Sequence, residues 1–145
     1  MLALPLFVML CTLLLKRFIK NKQLYSKLII GDGIQMKIKL KNSVMEADLA
    51  DDFWKRLIGL SFSKKKNMLF SMSYESKWSF WMFGVSYPLN IIFMNKNKEV
   101  VDIKKAEPLS FNPETWRTYV PRKPCKYVFE TPLNLNINVG DKVSW

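Results

Sequence analysis

Arg56-Leu57-Ile58-Gly59-Leu60, Asn67-Met68-Leu69-Phe70, Phe80-Trp81-Met82 and Pro88-Leu89-Asn90-Ile91-Ile92-Phe93 follow one another through the middle of this 145-residue chain. The first closes a stretch, residues 48–60, in which Leu49, Phe53, Leu57 and Leu60 recur on one helical face. Asp48, Asp51 and Asp52 crowd its amino end, and Lys55 and Arg56 lie toward its carboxyl end, as the helix dipole favours. Asp51–Lys55 and Asp52–Arg56 add i,i+4 pairs. Gly59 falls where a left-handed cap ends a helix. The other three motifs sit in short apolar runs bounded by turn residues, which predict strands at 68–72, 79–83 and 89–94. Similar runs follow at 100–104, 125–131 and 142–145. Upstream, Ile34, Met36, Ile38 and Leu40 alternate with Gln35, Lys37, Lys39 and Lys41, the period of a half-buried strand with one basic face. Residues 44–47 extend the sheet. Asn95-Lys96-Asn97-Lys98 is expected to be a hairpin turn, with asparagine taking the positive φ. Four prolines break residues 108–124 into a long surface loop.

In this order the four motifs resemble a prokaryotic family known as domain of unknown function 192, over residues 44–143. That family's pattern has a helix ending in arginine and a Gly-Leu step, then Met-Leu-Phe, Trp-Met and Pro-Leu-Asp-Ile-Ile-Phe strands. Pro108, Tyr119, Val128-Phe129-Glu130 and Gly140-Asp141 fall where it has similar residues. Asn90 stands in the place of the family's aspartate, which counts against an acid or cation-binding role there. The Pro-x-Gly turn after Glu130 becomes Thr131-Pro132-Leu133-Asn134, and Asn134 is expected to supply the left-handed backbone. The resemblance implies a mainly β fold: a single jelly-roll-like sandwich or barrel domain with one short helix. It implies no ligand, substrate or reaction.

The chain has room for one domain of about 100 residues and a leader. Its 14% aromatic content supplies large core side chains. Cys11 and Cys125 lie far apart in sequence and predict no disulfide. Histidine is absent, which removes the commonest general base and transition-metal ligand, and with it any Cys-His hydrolase built on Cys125. No zinc spacing, calcium loop or phosphate-binding glycine loop occurs, so neither metal nor cofactor is expected.

Of the net charge of +11, residues 1–42 carry +7 and residues 43–145 carry +4. The excess therefore sits beside the apolar leader. A nucleic-acid surface would place it on the folded domain. Residues 2–15 carry no charge and span about 21 Å as a helix, short of the roughly 30 Å hydrocarbon core. Continuing through Ile19, with Lys16 and Arg17 snorkelling, makes a thin span feasible. No basic residue precedes the apolar run and no small-x-small site follows it, which argues against a cleaved signal. Leu10 before Cys11 argues against a lipoprotein. The division expected is an apolar helical membrane anchor at 1–20, a basic linker at 21–33 and the β-domain at 34–145. The basic residues after the run favour a cytoplasmic domain, whereas the family's frequent export or anchor sequences point outside. A true start upstream would reopen both.

Six residues are candidate binding groups. Arg56 could clamp a carboxylate or phosphate with its guanidinium fork, or pair with Asp52 or Glu130. Trp81 and Tyr87 belong to the densest aromatic stretch. There Phe80 and Met82 should face one way and Trp81 and Phe83 the other, lining a cleft or buried under loops. Asn90 and Glu130 are polar within apolar strands and need partners. Tyr119, with Arg122, lies on the proline-broken loop and could close over a ligand or pack in place. Three functions follow. The first is a membrane-tethered module binding a small ligand or protein. The second is an enzyme on a carbohydrate or phosphorylated substrate using Arg56, Tyr119 and Glu130. The third is an anionic lipid or nucleic-acid binder using Lys37, Lys39, Lys41, Lys64, Lys65 and Lys66.

Overall fold

Side-chain alternation sets β1 (Gln35–Leu40), where Ile38 and Leu40 are buried and Gln35, Lys37 and Lys39 are exposed. β2 (Ser43–Ala50) pairs back onto it, antiparallel and in register from Gln35 opposite Asp48 to Leu40 opposite Ser43. β3 (Met68–Ser76), β4 (Leu89–Met94), β5 (Val100–Ala106), β6 (Cys125–Thr131) and β7 (Val143–Ser144) complete a single sheet in the order β5-β4-β6-β3-β2-β1-β7. Every pairing is antiparallel except β2 with β3. This computed structural model describes residues 34–52, 55–56, 59–61 and 63–145. The proposed anchor and linker, and the apolar positions Phe53 and Leu57, lie outside the described residues.

Successive residues in a strand point to opposite sides, and β3, β4 and β6 bury side chains on both faces while β1 keeps one face in solvent. One face carries Leu69, Ile92, Met94 and Phe129 together with Ile38, Leu40 and Val143. Strands from opposite ends of the sheet thus share one core, which requires the sheet to curl around it. The two edges then meet: Val100 N–H donates to Asp141 O (2.9 Å), Gly140 N–H to Val100 O (2.8 Å) and Val143 N–H to Lys98 O (2.9 Å). Of the expected sandwich or barrel, the sheet forms the second in part: one curled, half-barrel sheet with no second sheet packed on it among the described residues. The outer face carries Phe70, Ile91, Phe93 and Val128 and is covered by Leu60, Phe80, Met82, Val85 and Tyr87 from the connecting segments.

Several local expectations are corrected. The stretch expected to be helical from residue 48 remains strand through Ala50, because Asp48, Leu49 and Ala50 pair with Met68, Leu69 and Phe70. Helical bonding starts at Asp52, whose carbonyl accepts from Arg56 N–H (3.0 Å), and Lys55 O accepts from Gly59 N–H (2.8 Å). Asp52 Oδ1 also takes the Lys55 N–H (2.8 Å), a side-chain cap on a free amide. Gly59 closes the turn at φ 52°. Residues 79–83 form no strand beyond one bridge from Phe80 to Tyr119. Even so, Phe80 and Met82 are buried while Trp81 and Phe83 are half-buried, the sidedness expected of them. In the 95–98 turn the positive φ belongs to Lys98, at 61°. Asn95 acts through its side chain, whose Oδ1 accepts from Asn97 and Glu99 N–H (2.9 and 3.0 Å). Asn134 is not left-handed; Asn90 Nδ2 holds that turn by donating to Leu133 O (2.9 Å). Residues 108–124 form the expected loop, with a 3-10 turn at Pro113–Thr115. Among the described residues no helix is long and apolar enough to cross a membrane.

Candidate functional site

Topology builds the site. β2 and β3 run parallel, so the connection between them must cross a face of the sheet. β3 and β4 are both antiparallel to β6, which lies between them, so residues 77–88 must cross over β6. Leu60 in the first connection and Phe80, Met82, Val85 and Tyr87 in the second pack on the same outer face. The two connections therefore meet above β6. Two hydrogen bonds tie them: Ser61 Oγ donates to Phe83 O (2.7 Å), and Tyr87 Oη donates to Lys64 O (3.1 Å).

Where the tied segments part, a small cleft of about 30 Å³ remains, lined by Arg56, Gly59, Leu60, Ser61, Phe70, Phe80, Trp81, Val85 and Glu130. Glu130 lies at its floor. In β6 it is flanked by Met68 of β3 and Ile91 of β4, both apolar and on the same face. Only 4% of its surface is exposed, and among the described residues no donor reaches its carboxyl oxygens. Burial pushes its pKa up from 4.5 to about 8, because an apolar site disfavours the charged form. At neutral pH the group is mostly a neutral acid, able to donate as well as accept.

Arg56 lines the same cleft without pairing with Glu130. Its Nη1 donates to Asp51 O (2.7 Å) and Ser71 O (2.9 Å), fixing the guanidinium against backbone. Its Nε and Nη2 have no protein acceptor among the described residues. Lys55 takes the nearby carboxylates, pairing with Asp51 (3.1 Å) and Asp52 (3.3 Å). The half-buried indole of Trp81 stacks on Phe83, ring centroids 5.2 Å apart and planes 23° apart. Arg56, Trp81 and Glu130 are thus brought together.

The other three candidates are placed elsewhere. Tyr87 is buried and works as a strut through its bond to Lys64 O; burial, then the charge of Glu130, raises its pKa. Asn90 stands opposite Thr131, one position out of step with the Ile91–Glu130 pair. The pleat therefore sends it to the opposite face from Glu130, and an aspartate at 90 would not complete a carboxylate pair. Tyr119 is buried, and its hydroxyl accepts from Glu107 N–H (3.1 Å) and Arg117 Nε (3.4 Å). The Arg56–Tyr119–Glu130 constellation expected for an enzyme does not assemble. Arg122 packs its loop in place by ion pairing with Asp102 (2.9 Å). Of the lysines considered for polyanions, Lys41 pairs with Asp141 (2.9 Å) and Lys66 with Asp48 (2.7 Å).

Two residues of consequence carried no signal beforehand. Ser61 follows the Gly-Leu step and gives no hint of the crossing it ties. Asp102, 1% exposed within an apolar run, anchors the 108–124 loop by accepting from Arg122 N–H (2.9 Å) and Nε (3.0 Å) and pairing with Lys104 (3.1 Å). Burial pushes its pKa upward, but the bonds from Arg122, Lys104 and Ile103 outweigh that and hold it below 3.8.

Comparison with known proteins agrees with this architecture. A UPF0127 protein of Pyrococcus furiosus is 36% identical over 114 residues, covering 74% of this chain and 92% of its own length. A UPF0127 protein of Thermococcus sibiricus is 35% identical over 105 residues, covering 67% of this chain and 64% of its own length. A crystal structure of a protein of unknown function from Novosphingobium aromaticivorans has the same fold. It superposes with a TM-score of 0.66 at 24% identity, over 77% of this chain and 85% of that one. The family described as Uncharacterized ACR, domain of unknown function 192, matches residues 34–145. With that match covering most of its length, the chain belongs to the domain of unknown function 192 family.

Proposed function

We propose that this protein is a binding module for a small polar ligand, held at a membrane by its apolar leader, with the cleft between Arg56, Trp81 and Glu130 as its site. The observation that carries this reading is the Glu130 carboxyl: buried, without a partner among the described residues, and facing a cleft beside an arginine two of whose nitrogens have no acceptor among those residues. A buried polar group left unpaired costs roughly 1–3 kcal/mol, and a bound group or water supplying its partner offsets that cost. Its cross-strand neighbours Met68 and Ile91 are both apolar, so the carboxyl points to a use other than packing.

A fragment screen on the full-length protein tests the reading. Fragments that bind should shift the Trp81 indole N–H resonance and lose affinity in Glu130→Leu. Hits that all map elsewhere, or bind Glu130→Leu equally well, would remove the site. The tether is tested by fractionation: the full chain should pellet with membranes and a chain lacking residues 1–30 should not.

A further inference from the structure

We infer that the cleft receives the carboxylate head of a small organic acid with an apolar stem, an assignment that rests on the binding reading above and gives its ligand a chemical class. Size speaks first. The enclosed part of the cleft, about 30 Å³, has room for roughly two or three water-sized groups, enough for the two oxygens of a carboxylate.

Charge and hydrogen bonding agree. Arg56 is the one charged cation among the lining residues, and Nη1 is fixed by Asp51 O and Ser71 O. Nε and Nη2 have no acceptor among the described residues and are left to donate, the fork that matches a carboxylate. Glu130 supplies the third contact as a neutral acid donating its proton to the ligand. A cationic head would need Glu130 ionised within apolar walls and would sit against Arg56. The remaining lining, Leu60, Phe70, Phe80, Val85 and Trp81, offers hydrocarbon contact. Half-buried Trp81 gives the stem a surface toward solvent.

The arrangement makes binding pH-dependent in one direction. Facing Glu130 are Arg56 across the cleft and Tyr87, whose hydroxyl is held by Lys64 O; its sheet neighbours Met68 and Ile91 carry no charge. Once Glu130 ionises, the donor is lost and a like charge faces the ligand. Affinity should then fall about tenfold for each pH unit above about 8.

The experiment uses three probes with one stem: sodium butyrate, butyramide and butylammonium chloride, each titrated into the full-length protein at constant ionic strength. The readout is the Trp81 indole N–H resonance, assigned with Trp81→Phe. Butyrate should saturate it, and Arg56→Gln should weaken binding about tenfold or more. Glu130→Gln retains a neutral donor, so it should bind butyrate comparably at pH 7 and show no decline between pH 7 and 9.5. Stronger binding of butyramide or butylammonium than of butyrate would overturn the carboxylate assignment and leave the cleft standing as a site. The same assignment falls if wild-type affinity is flat across that pH range. Failure of all three probes to reach Trp81 would overturn both this inference and the binding reading.

Discussion

Glu130 links burial, charge and stability in one side chain. Its folded pKa of about 8 stands above the unfolded value of 4.5. Between those values the folded protein keeps a proton that the unfolded chain has released. Stability therefore falls as pH rises from 4.5 to 8 and stays low above that. Glu130→Gln should remove the slope: in urea unfolding it should match wild type near pH 5 and exceed it at pH 9 by a few kcal/mol, on the order of what such a shift implies. Parallel curves at both pH values would mean that the carboxyl is solvated or paired. Asp102 has the opposite sign. Its folded pKa lies below 3.8, so its contribution is present above the unfolded value and is lost as pH falls through the folded one. Cys125 is fully buried, and burial pushes its thiol up to about 11. In a Cys11→Ser background an alkylating reagent at pH 8 should modify Cys125 only after denaturant is added; rapid labelling of the folded protein would show that the β6 start is open.

At the level of elements, the two crossing connections and their ties define the site. Gly59 ends the helical turn at φ 52°, and a Cβ there would lie 3.3 Å from the Phe70 ring, itself a wall of the cleft. Gly59→Ala should cost about 1–2 kcal/mol in thermal or urea unfolding; a neutral result would mean that the turn relaxes to another conformation. Ser61→Ala and Tyr87→Phe each remove one hydrogen bond between the connections and should cost about 1 kcal/mol. Amide exchange in residues 77–88 should speed up in both variants. The strands at 89–94 and 125–131 were legible with their boundaries, since each is an apolar run closed by turn residues. The helix at 48–60 was misjudged at its start because helical periodicity and dipole-favoured acids persist through a segment that β1 and β3 recruit into the sheet. Pairing overrode local preference. The 79–83 run was misjudged because no neighbouring strand offers it a ladder, although its two-sidedness was readable. Arg56, Trp81 and Glu130 were each legible as candidates because polar or aromatic residues at those points had to be explained. The grouping read from sequence, however, was Arg56, Tyr119 and Glu130, and that Trp81 joins the first and last at one cleft was not legible. That Asn90 and Tyr119 lie apart from them was not legible: the first depends on strand register and the second on how the loop folds back.

At the scale of the folded unit, residues 34–145, one sheet provides both cores. Its concave face closes on a core shared by distant strands, and its convex face is roofed by the connections that a parallel pair and a skipped strand make necessary. The cleft is the joint in that roof, over β6. This geometry explains how an acid comes to lie buried between the apolar Met68 and Ile91. Everything turns on Glu130 being a buried acid with no partner among the described residues, at the floor of that joint. The most direct test is a pH titration of the full-length protein labelled with ¹³C at the glutamate side chains, following the Glu130 carboxyl carbon, assigned with Glu130→Gln. A midpoint near 8 is expected. A midpoint near 4.5, that of a solvated glutamate, would contradict the account.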